Sequence, residues 1–201
     1  MIKTMLFDFG RVISAQKPQS LFQRYEDELC LVRGTINSIM FDSPHWQDAL
    51  VGAIDLSTYW QRIGPDLHLE SYERVVAFQR RYYQDEKING GVHQLLERLA
   101  ANYQLAIVSN HPPGLSDWLV DWNIDRLFDL VVCSGDLGVA KPDQAIFHLA
   151  LDRLGAEASE TVFIDDTEEH VEAARAMGIH GIHFTTVEKL RHELEILGVP
   201  A

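Results

Sequence analysis

The chain has 201 residues and a formal net charge of −13, because 30 acidic residues outnumber 17 basic ones. Such a surface repels nucleic-acid phosphates and anionic membranes, so neither is expected as a partner, and an anionic substrate would need a local cation. Hydrophobic residues make up 46% of the chain, which suits one globular domain with room for a small insertion. Cys30 and Cys133 lie too far apart to predict a zinc ribbon or a disulfide framework.

Membrane and secretory segments are not expected from the sequence. No apolar run approaches the ~20 residues that span a bilayer. Asp8 comes too early for the apolar centre of a signal peptide. We therefore expect a cytoplasmic protein, and the sequence leaves its oligomeric state open.

Short apolar runs alternate with helical patterns along the chain, which predicts an α/β fold: a parallel sheet with helices on both faces. The five runs that predict strands are residues 4–9, 105–108, 130–133, 161–164 and 181–184. Val92, Leu95 and Leu99 share one apolar helical face. A last helix is predicted from residue 187 onward, with Thr185 and Glu188 at the spacing of a capping box.

A long segment separates the first two predicted strands. It spans about 95 residues, far more than one crossover helix needs. It is rich in aromatic residues such as Phe22, Trp60 and Phe78, but it has no run typical of a strand. We therefore predict a core domain of residues 1–14 and 89–201 and a helical cap domain of residues 15–88, with hinges near residues 14–17 and 88–91.

Four segments place polar side chains near the carboxyl ends of the predicted strands, where open α/β sheets bind their ligands. They contain, in order, Asp8 with Gly10, Ser109 with Asn110, Lys141 before Pro142, and the pair Asp165 and Asp166. Each alone has a structural explanation. A strand-end aspartate commonly caps a turn, a Ser-Asn pair forms turns, and a single lysine or an acidic pair is usually solvated.

Together these side chains predict phosphoryl chemistry. The three aspartates supply the hard oxygen ligands that Mg²⁺ prefers. The serine, the asparagine and the lysine supply hydrogen-bond donors for an anion, and the lysine adds positive charge. A metal and a lysine beside an unpaired carboxylate suit nucleophilic attack on a phosphoryl group.

The four segments, in this order, resemble the four motifs of the haloacid dehalogenase superfamily of hydrolases. The first is closest to the epoxide-hydrolase-like branch of small phosphatases, whose motif commonly reads Asp-Leu-Gly-Asn-Val. The resemblance covers essentially the full length, although the insertion matches only in position and helical character. It implies a Rossmann-like, five-stranded parallel core with a helical cap inserted after the first strand. It also implies a Mg²⁺-dependent phosphatase that hydrolyses a small phosphorylated metabolite through an aspartyl-phosphate.

The resemblance further implies a role for each site residue. Asp8 would be the nucleophile, Lys141 would bridge it to the phosphate, and Ser109 and Asn110 would bind the phosphoryl oxygens. The implied Mg²⁺ ligands are Asp8, the carbonyl of Gly10, Asp165 and Asp166. Lys141 also has a role that does not depend on analogy, since it offsets the repulsion between a carboxylate and an anionic ester.

Two positions depart from the superfamily pattern. Gly10 stands where most of its phosphatases have a second aspartate that acts as general acid and base. His170 stands where relatives often have Asp or Asn, and it is interpreted either as a donor behind the metal ligands or as a surface histidine. His111 is interpreted as a turn-surface histidine that could instead face the substrate, while Trp46 and Trp118 are interpreted as packing residues.

Two other functions stay open. A metal-free 2-haloacid dehalogenase uses the same nucleophile on carbon and also lacks the second aspartate. A non-catalytic phospho-ligand-binding protein could have lost turnover together with the acid at position 10. The Asp165-Asp166 pair favours the phosphatase, because attack on carbon gains nothing from a magnesium site.

Overall fold

The computed structural model describes residues 1–200 and contains one five-stranded parallel sheet. Its strands are β1 (Thr4–Phe7), β2 (Gln104–Ser109), β3 (Leu130–Cys133), β4 (Thr161–Asp165) and β5 (His180–His183). They lie in the order β3-β2-β1-β4-β5, and every neighbouring pair is parallel. The predicted α/β fold and its five parallel strands are confirmed. The first strand is shorter than predicted, because the chain turns away from the sheet at Asp8.

Helices fill the connections between these strands. They are α1 (Gln19–Glu28), α2 (Ile36–Phe41), α3 (Pro44–Leu50), α4 (Leu56–Ile63), α5 (Tyr72–Gln84), α6 (Gly90–Leu99), α7 (Leu115–Asp121), α8 (Ser134–Leu137), α9 (Gln144–Leu154), α10 (Glu168–Ala176) and α11 (Val187–Ile196). Within residues 1–200 no helix combines the length and the apolarity needed to cross a membrane. Helix α11 begins after Thr186, whose hydroxyl accepts from the Lys189 N–H, so the predicted capping residue, Thr185, is wrong by one position.

The sheet is covered on both faces, as a parallel sheet requires. Met5 of the central strand packs in one apolar cluster with Leu95 of α6 and Leu190 of α11. Leu6, the next residue, points to the opposite face and packs in a second cluster with Phe147 of α9. Since alternate residues of a strand face opposite sides, the apolar run of β1 is buried along its whole length.

The five helices α1 to α5, which lie between β1 and β2 in the chain, form a separate layer around their own apolar cluster; we call this layer the helical insertion. Tyr59 and Trp60 are its largest fully buried side chains. Three of these helices begin at residues whose side-chain oxygens accept from backbone N–H groups three positions later: Ser43, Asp55 and Ser71. Such caps satisfy N–H groups that the helix itself leaves unpaired.

The chain enters and leaves the helical insertion along two adjacent stretches. Ser14 and Ile88 form an isolated antiparallel bridge, and the Asn89 N–H donates to the Ile13 carbonyl at 2.8 Å. The two connections between the sheet domain and the helical insertion are therefore hydrogen-bonded to each other.

The helical insertion also contacts the core at a second place. Ser134 at the start of α8 donates its hydroxyl to the Leu50 carbonyl at 2.5 Å. Beside this bond, Gly52 has a left-handed φ of +68°, and a Cβ built on it would overlap the Gly135 carbonyl. A side chain at position 52 would therefore push the two layers apart.

Candidate active site

Strand β1 lies between β2 and β4, so the residues at the carboxyl ends of these three strands meet at one edge of the sheet. The chain order reverses between β1 and β4, which is where open α/β sheets bind ligands. The seven predicted site residues all line one cavity of about 580 Å³: Asp8, Gly10, Ser109, Asn110, Lys141, Asp165 and Asp166. Its opposite wall comes from the helical insertion.

Lys141 joins two of the aspartates. Its Nζ lies 2.7 Å from Asp8 Oδ1 and 2.6 Å from Asp165 Oδ2, and its side chain is buried. Burial lowers the pKa of Lys141, but the charges of the two carboxylates outweigh burial and raise the pKa above its usual value. The ammonium group is therefore retained at neutral pH.

The two carboxyl groups that share Lys141 differ in their pKa. Burial raises the pKa of Asp8, and although Lys141 opposes this, the negative charge of Asp165 adds to the rise. Burial also raises the pKa of Asp165, but Lys141 and His170 outweigh it and bring that pKa to about 2. Asp165 Oδ1 accepts from the Thr167 N–H at 2.8 Å. Asp165 is thus a fully supported carboxylate, whereas Asp8 is a destabilised one.

His170 belongs to this network. Its Nδ1 lies 3.0 Å from Asp165 Oδ2. Since a carboxylate only accepts hydrogen bonds, Nδ1 carries the hydrogen and donates it. The sequence left open whether His170 is a surface histidine or a donor behind the metal ligands, and the structure shows that it is such a donor.

Asp166 has a basic partner that the sequence motifs do not indicate. Arg11 Nη2 lies 2.8 Å from Asp166 Oδ2. Burial raises the pKa of Asp166, and Arg11 opposes that rise. Arg11 has a left-handed φ of +58°, a conformation that non-glycine residues seldom adopt. The signal that could have revealed it is a basic residue directly after Gly10, in the turn that follows the first strand.

The acidic cluster fits a magnesium ion. Asp8, Asp165 and Asp166 each offer one oxygen, and these three atoms lie within 4.8 Å of one another. Lys141 binds Oδ1 of Asp8 and Arg11 binds Oδ2 of Asp166, so each of these carboxylates keeps its second oxygen for a cation. A Cβ built on Gly10 would lie 3.7 Å from Asp8 Oδ2, which places the backbone of Gly10 beside that oxygen. Mg²⁺ usually takes one or two carboxylates and keeps several waters. The free oxygens of Asp8 and Asp166 match that number, and Asp165 lies beside them.

The Asn110 side chain binds the backbone of Lys141. Its Oδ1 accepts from the Lys141 N–H at 2.7 Å, and its Nδ2 donates to the Lys141 carbonyl at 2.8 Å. The family resemblance predicts that this side chain binds phosphoryl oxygens. In the structure both of its polar atoms bind the lysine loop. Nδ2 carries two hydrogens and uses one of them there, so the phosphoryl contact stays a prediction. Ser109 is buried at the end of β2 and lines the cavity.

Several residues outside the predicted site set also line the cavity. His111 is a wall residue rather than a surface histidine: its Nδ1 donates to the Pro112 carbonyl at 2.7 Å, and burial lowers the pKa of His111. Lys17 and Glu86, at the two ends of the helical insertion, form an ion pair in the cavity wall. Only the tertiary fold brings such residues together, because they lie about 70 positions apart.

The family model for haloacid dehalogenase-like hydrolases matches residues 7–178, well over half of the chain. The chain belongs to this hydrolase family. It is 27% identical over 187 residues to the sesquiterpene phosphatase astK of Aspergillus oryzae, which covers 91% of this hydrolase and 90% of that protein. It is 28% identical over 211 residues to mouse acyl-CoA dehydrogenase family member 10, which covers 98% of this hydrolase. That match spans only 19% of the mouse protein.

Solved structures share the fold. The HAD family enzyme BT-2542 of Bacteroides thetaiotaomicron, in complex with magnesium and inorganic phosphate, superposes with a TM-score of 0.75 at 20% identity, over 92% of this hydrolase and 95% of that chain. A 2-haloacid dehalogenase of Pseudomonas syringae pv. tomato superposes with a TM-score of 0.62 at 20% identity, over 98% of this hydrolase and 100% of that chain. At this level of identity the two structures confirm the fold alone.

Proposed function

We propose that this hydrolase is a Mg²⁺-dependent phosphatase that cleaves a small phosphorylated metabolite through an aspartyl-phosphate at Asp8. The position of Lys141 carries the proposal, since its buried ammonium group bridges Asp8 and Asp165 at 2.7 and 2.6 Å. A carboxylate nucleophile can approach an anionic phosphate only where nearby cations offset the repulsion. The match to a phosphatase along nine tenths of both chains also supports this function.

Asp8 is the nucleophile in this mechanism. Its Oδ1, which Lys141 binds, attacks phosphorus in line with the leaving oxygen, while Oδ2 faces the proposed metal site. Water then hydrolyses the aspartyl-phosphate. Lys141 binds the phosphoryl group and Ser109 donates a hydrogen bond to it, while Asn110 keeps the lysine in place. Asp8, Asp165, Asp166 and the carbonyl of Gly10 would hold Mg²⁺. The bound ion would polarise the phosphoryl oxygens and neutralise their charge.

Gly10 restricts the choice of leaving group. A positioned acid and base typically contributes about 10²- to 10⁴-fold, and glycine has no side chain that could act as either. Arg11 beside it is always cationic and cannot serve as a base. The enzyme therefore prefers activated esters, such as aryl, acyl or anomeric phosphates, whose leaving groups depart with little protonation. Dephosphorylation of Asp8 limits the rate on such substrates.

We propose that residues 15–88 act as a cap over a core of residues 1–14 and 89–201. The bridge between Ser14 and Ile88 supports a hinge at the two connections. The helical insertion contributes Trp46 and Tyr83 to the cavity that contains Asp8. Closure of the cap would exclude bulk water, and residues of the helical insertion would then determine which leaving group fits.

The test is phosphate release from p-nitrophenyl phosphate with Mg²⁺ and with EDTA. We expect turnover that EDTA abolishes, that the Asp8→Asn variant lacks, and that the variant Asp121→Asn keeps, since Asp121 is exposed at the end of α7. Halide release from a 2-haloacid that persists in EDTA would establish the dehalogenase instead. Binding of phosphate esters without any turnover would establish the non-catalytic alternative.

A further inference from the structure

The cavity above Asp8 is unusually aromatic. Nine of the 31 residues that line it are Phe, Tyr or Trp, whereas these residues make up 9% of the whole chain. Its volume of about 580 Å³ lies in the usual range for small-molecule sites, roughly 300 to 1,000 Å³. The lining thus has room for a leaving group much larger than the phosphate.

Six of these aromatic rings form a continuous series across the cap and onto the core. Their centroids lie 5.1 to 5.9 Å from one neighbour to the next, in edge-to-face and tilted contacts. In order they are Phe41, Trp46, Tyr59, Trp60, Tyr83 and Trp118. Aromatic groups attract one another in such geometries beyond the effect of buried area. The wall is therefore suited to an aromatic guest.

Three polar groups of the wall are engaged with the protein, those of Tyr59, Trp60 and Tyr83. The Tyr59 hydroxyl donates to the Met40 carbonyl at 2.6 Å, and Trp60 Nε1 donates to the Tyr83 hydroxyl at 2.7 Å. These side chains thus offer ring carbons to the cavity. A nucleobase carries several donors and acceptors, and burying them without partners is costly. The wall therefore favours a guest without hydrogen-bonding groups.

The charges of the lining disfavour a second anionic group. Each lysine and arginine in it pairs with a carboxylate: Lys141 with Asp8, Lys17 with Glu86, and Arg11 with Asp166. A substrate that carried a carboxylate besides its phosphate would have to break one of these pairs. A leaving group without charge meets no such cost.

We infer that the substrate is the monophosphate of a bulky, uncharged, apolar phenol, whose hydrocarbon part lies against the aromatic wall of the cap. The inference rests on the proposed phosphatase function. Two independent features support it. The apolar cavity accepts the hydrocarbon, and a phenolic oxygen can leave without a general acid, which glycine at position 10 does not supply.

The test is a homologous series of phenyl phosphates with para-n-alkyl chains from hydrogen to butyl. Such chains hardly change the acidity of the phenol, so the series varies burial while holding leaving ability constant. We expect kcat/KM to rise by about fourfold per methylene until the cavity is filled, from the usual contribution of a buried CH₂. A carboxymethyl group at the same position, and a purine nucleoside monophosphate, should both fall at least about tenfold below the propyl ester.

The outcomes separate the two claims. Hydrolysis of phenyl phosphate with a flat or falling series would leave the phosphatase intact and overturn the apolar substrate. Preference for the carboxymethyl ester or the nucleotide would overturn it as well. Absence of turnover on every ester would overturn the phosphatase, and the substrate class with it.

The Trp46→Ala variant locates the effect in the wall. We expect it to lower the ratio of kcat/KM for the butyl ester to kcat/KM for phenyl phosphate at least about tenfold. A thermal unfolding transition close to that of the wild type would show that the variant is folded. For the butyl ester, the kcat/KM of Trp46→Leu should lie between that of the wild type and that of Trp46→Ala. The matched control is Tyr72→Ala in the same cap, whose side chain is 60% exposed and outside the cavity. An equal loss on both esters would mean that Trp46 is only structural.

Discussion

Arg11 Nη2 lies 2.8 Å from Asp166 Oδ2, so a proposed metal ligand already has a cationic partner within the protein. The Arg11 side chain is 59% exposed, and ion pairs at such positions contribute at most about 1 kcal/mol. The guanidinium group leaves the second oxygen of Asp166 free, but its positive charge disfavours a divalent cation at that oxygen.

The first prediction is that Arg11→Gly raises the affinity for Mg²⁺ by about two- to fivefold. Isothermal titration calorimetry measures the affinity directly, without substrate. Arg11→Lys keeps the positive charge, so its affinity for Mg²⁺ should be closer to that of the wild type. Unchanged or weaker binding by Arg11→Gly would show that Arg11 does not compete with the metal.

The second prediction compares the two carboxylates that share Lys141. The raised pKa of Asp8 means that the fold favours its neutral form, so Asp8→Asn should leave stability unchanged or increase it at pH 7. The pKa of Asp165 is about 2, below its ordinary 3.8. Its charged form therefore stabilises the fold by about 2 kcal/mol at neutral pH, and Asp165→Asn should lose that contribution.

Chemical denaturation without metal measures the free energy of unfolding of both variants. The sign follows from linkage: the contribution of Asp165 is fully present above pH 4 and disappears as the pH falls towards 2, whereas that of Asp8 has the opposite sign. Equal destabilisation by the two substitutions would contradict this assignment of the charges.

The third prediction concerns the contact between the helical insertion and helix α8. Gly52→Ala places a Cβ against the Gly135 carbonyl, whereas Gly34→Ala has a similar left-handed φ with nothing within 4 Å. The two variants share the backbone cost, so their difference isolates the clash. We expect Gly52→Ala to be less stable than Gly34→Ala by about 1 to 3 kcal/mol and to have the higher KM. Equal stability and equal KM of the two variants would mean that the close approach of Gly52 to Gly135 is not needed for stability or substrate binding.

The fourth prediction restores an acid at position 10. A Cβ there meets only Asp8 Oδ2, at an ordinary 3.7 Å, so the Cβ of Gly10→Asp fits without moving the backbone. It should raise turnover on alkyl phosphates more than on p-nitrophenyl phosphate, because poor leaving groups need the proton most. A Brønsted series on both proteins, with Mg²⁺ affinity checked separately, measures this. A wild-type slope as shallow as that of the mutant would mean that another residue supplies the proton.

The sequence predicts the parts of this molecule that depend on local pattern. Runs such as Thr4–Phe7 are short, apolar and buried on both sides, and the polar residues that follow them reach the same edge because the strands are parallel. For this reason the amino-acid pattern alone indicates both the fold and the grouping of Asp8, Lys141 and Asp165.

The remaining features depend on tertiary contacts that leave no periodic signal. Asn110 is predicted to bind phosphate, but the loop of Lys141 folds back onto its amide. Trp46 is predicted only to pack, yet it lies between Phe41 and Tyr59 as part of the cavity wall. Neither contact could be predicted, because both depend on how separate segments dock.

The central claim is that Asp8 accepts the phosphoryl group. The most direct measurement is acid quenching during turnover of phenyl phosphate, followed by mass spectrometry of the peptide that contains Asp8. We predict a Mg²⁺-dependent increase by the mass of one phosphoryl group on Asp8, absent from Asp8→Asn and larger for wild type than for Gly10→Asp, whose added carboxylate speeds dephosphorylation. Steady turnover with an unmodified Asp8 at every quench time, or phosphorylation of a different residue, would contradict the account.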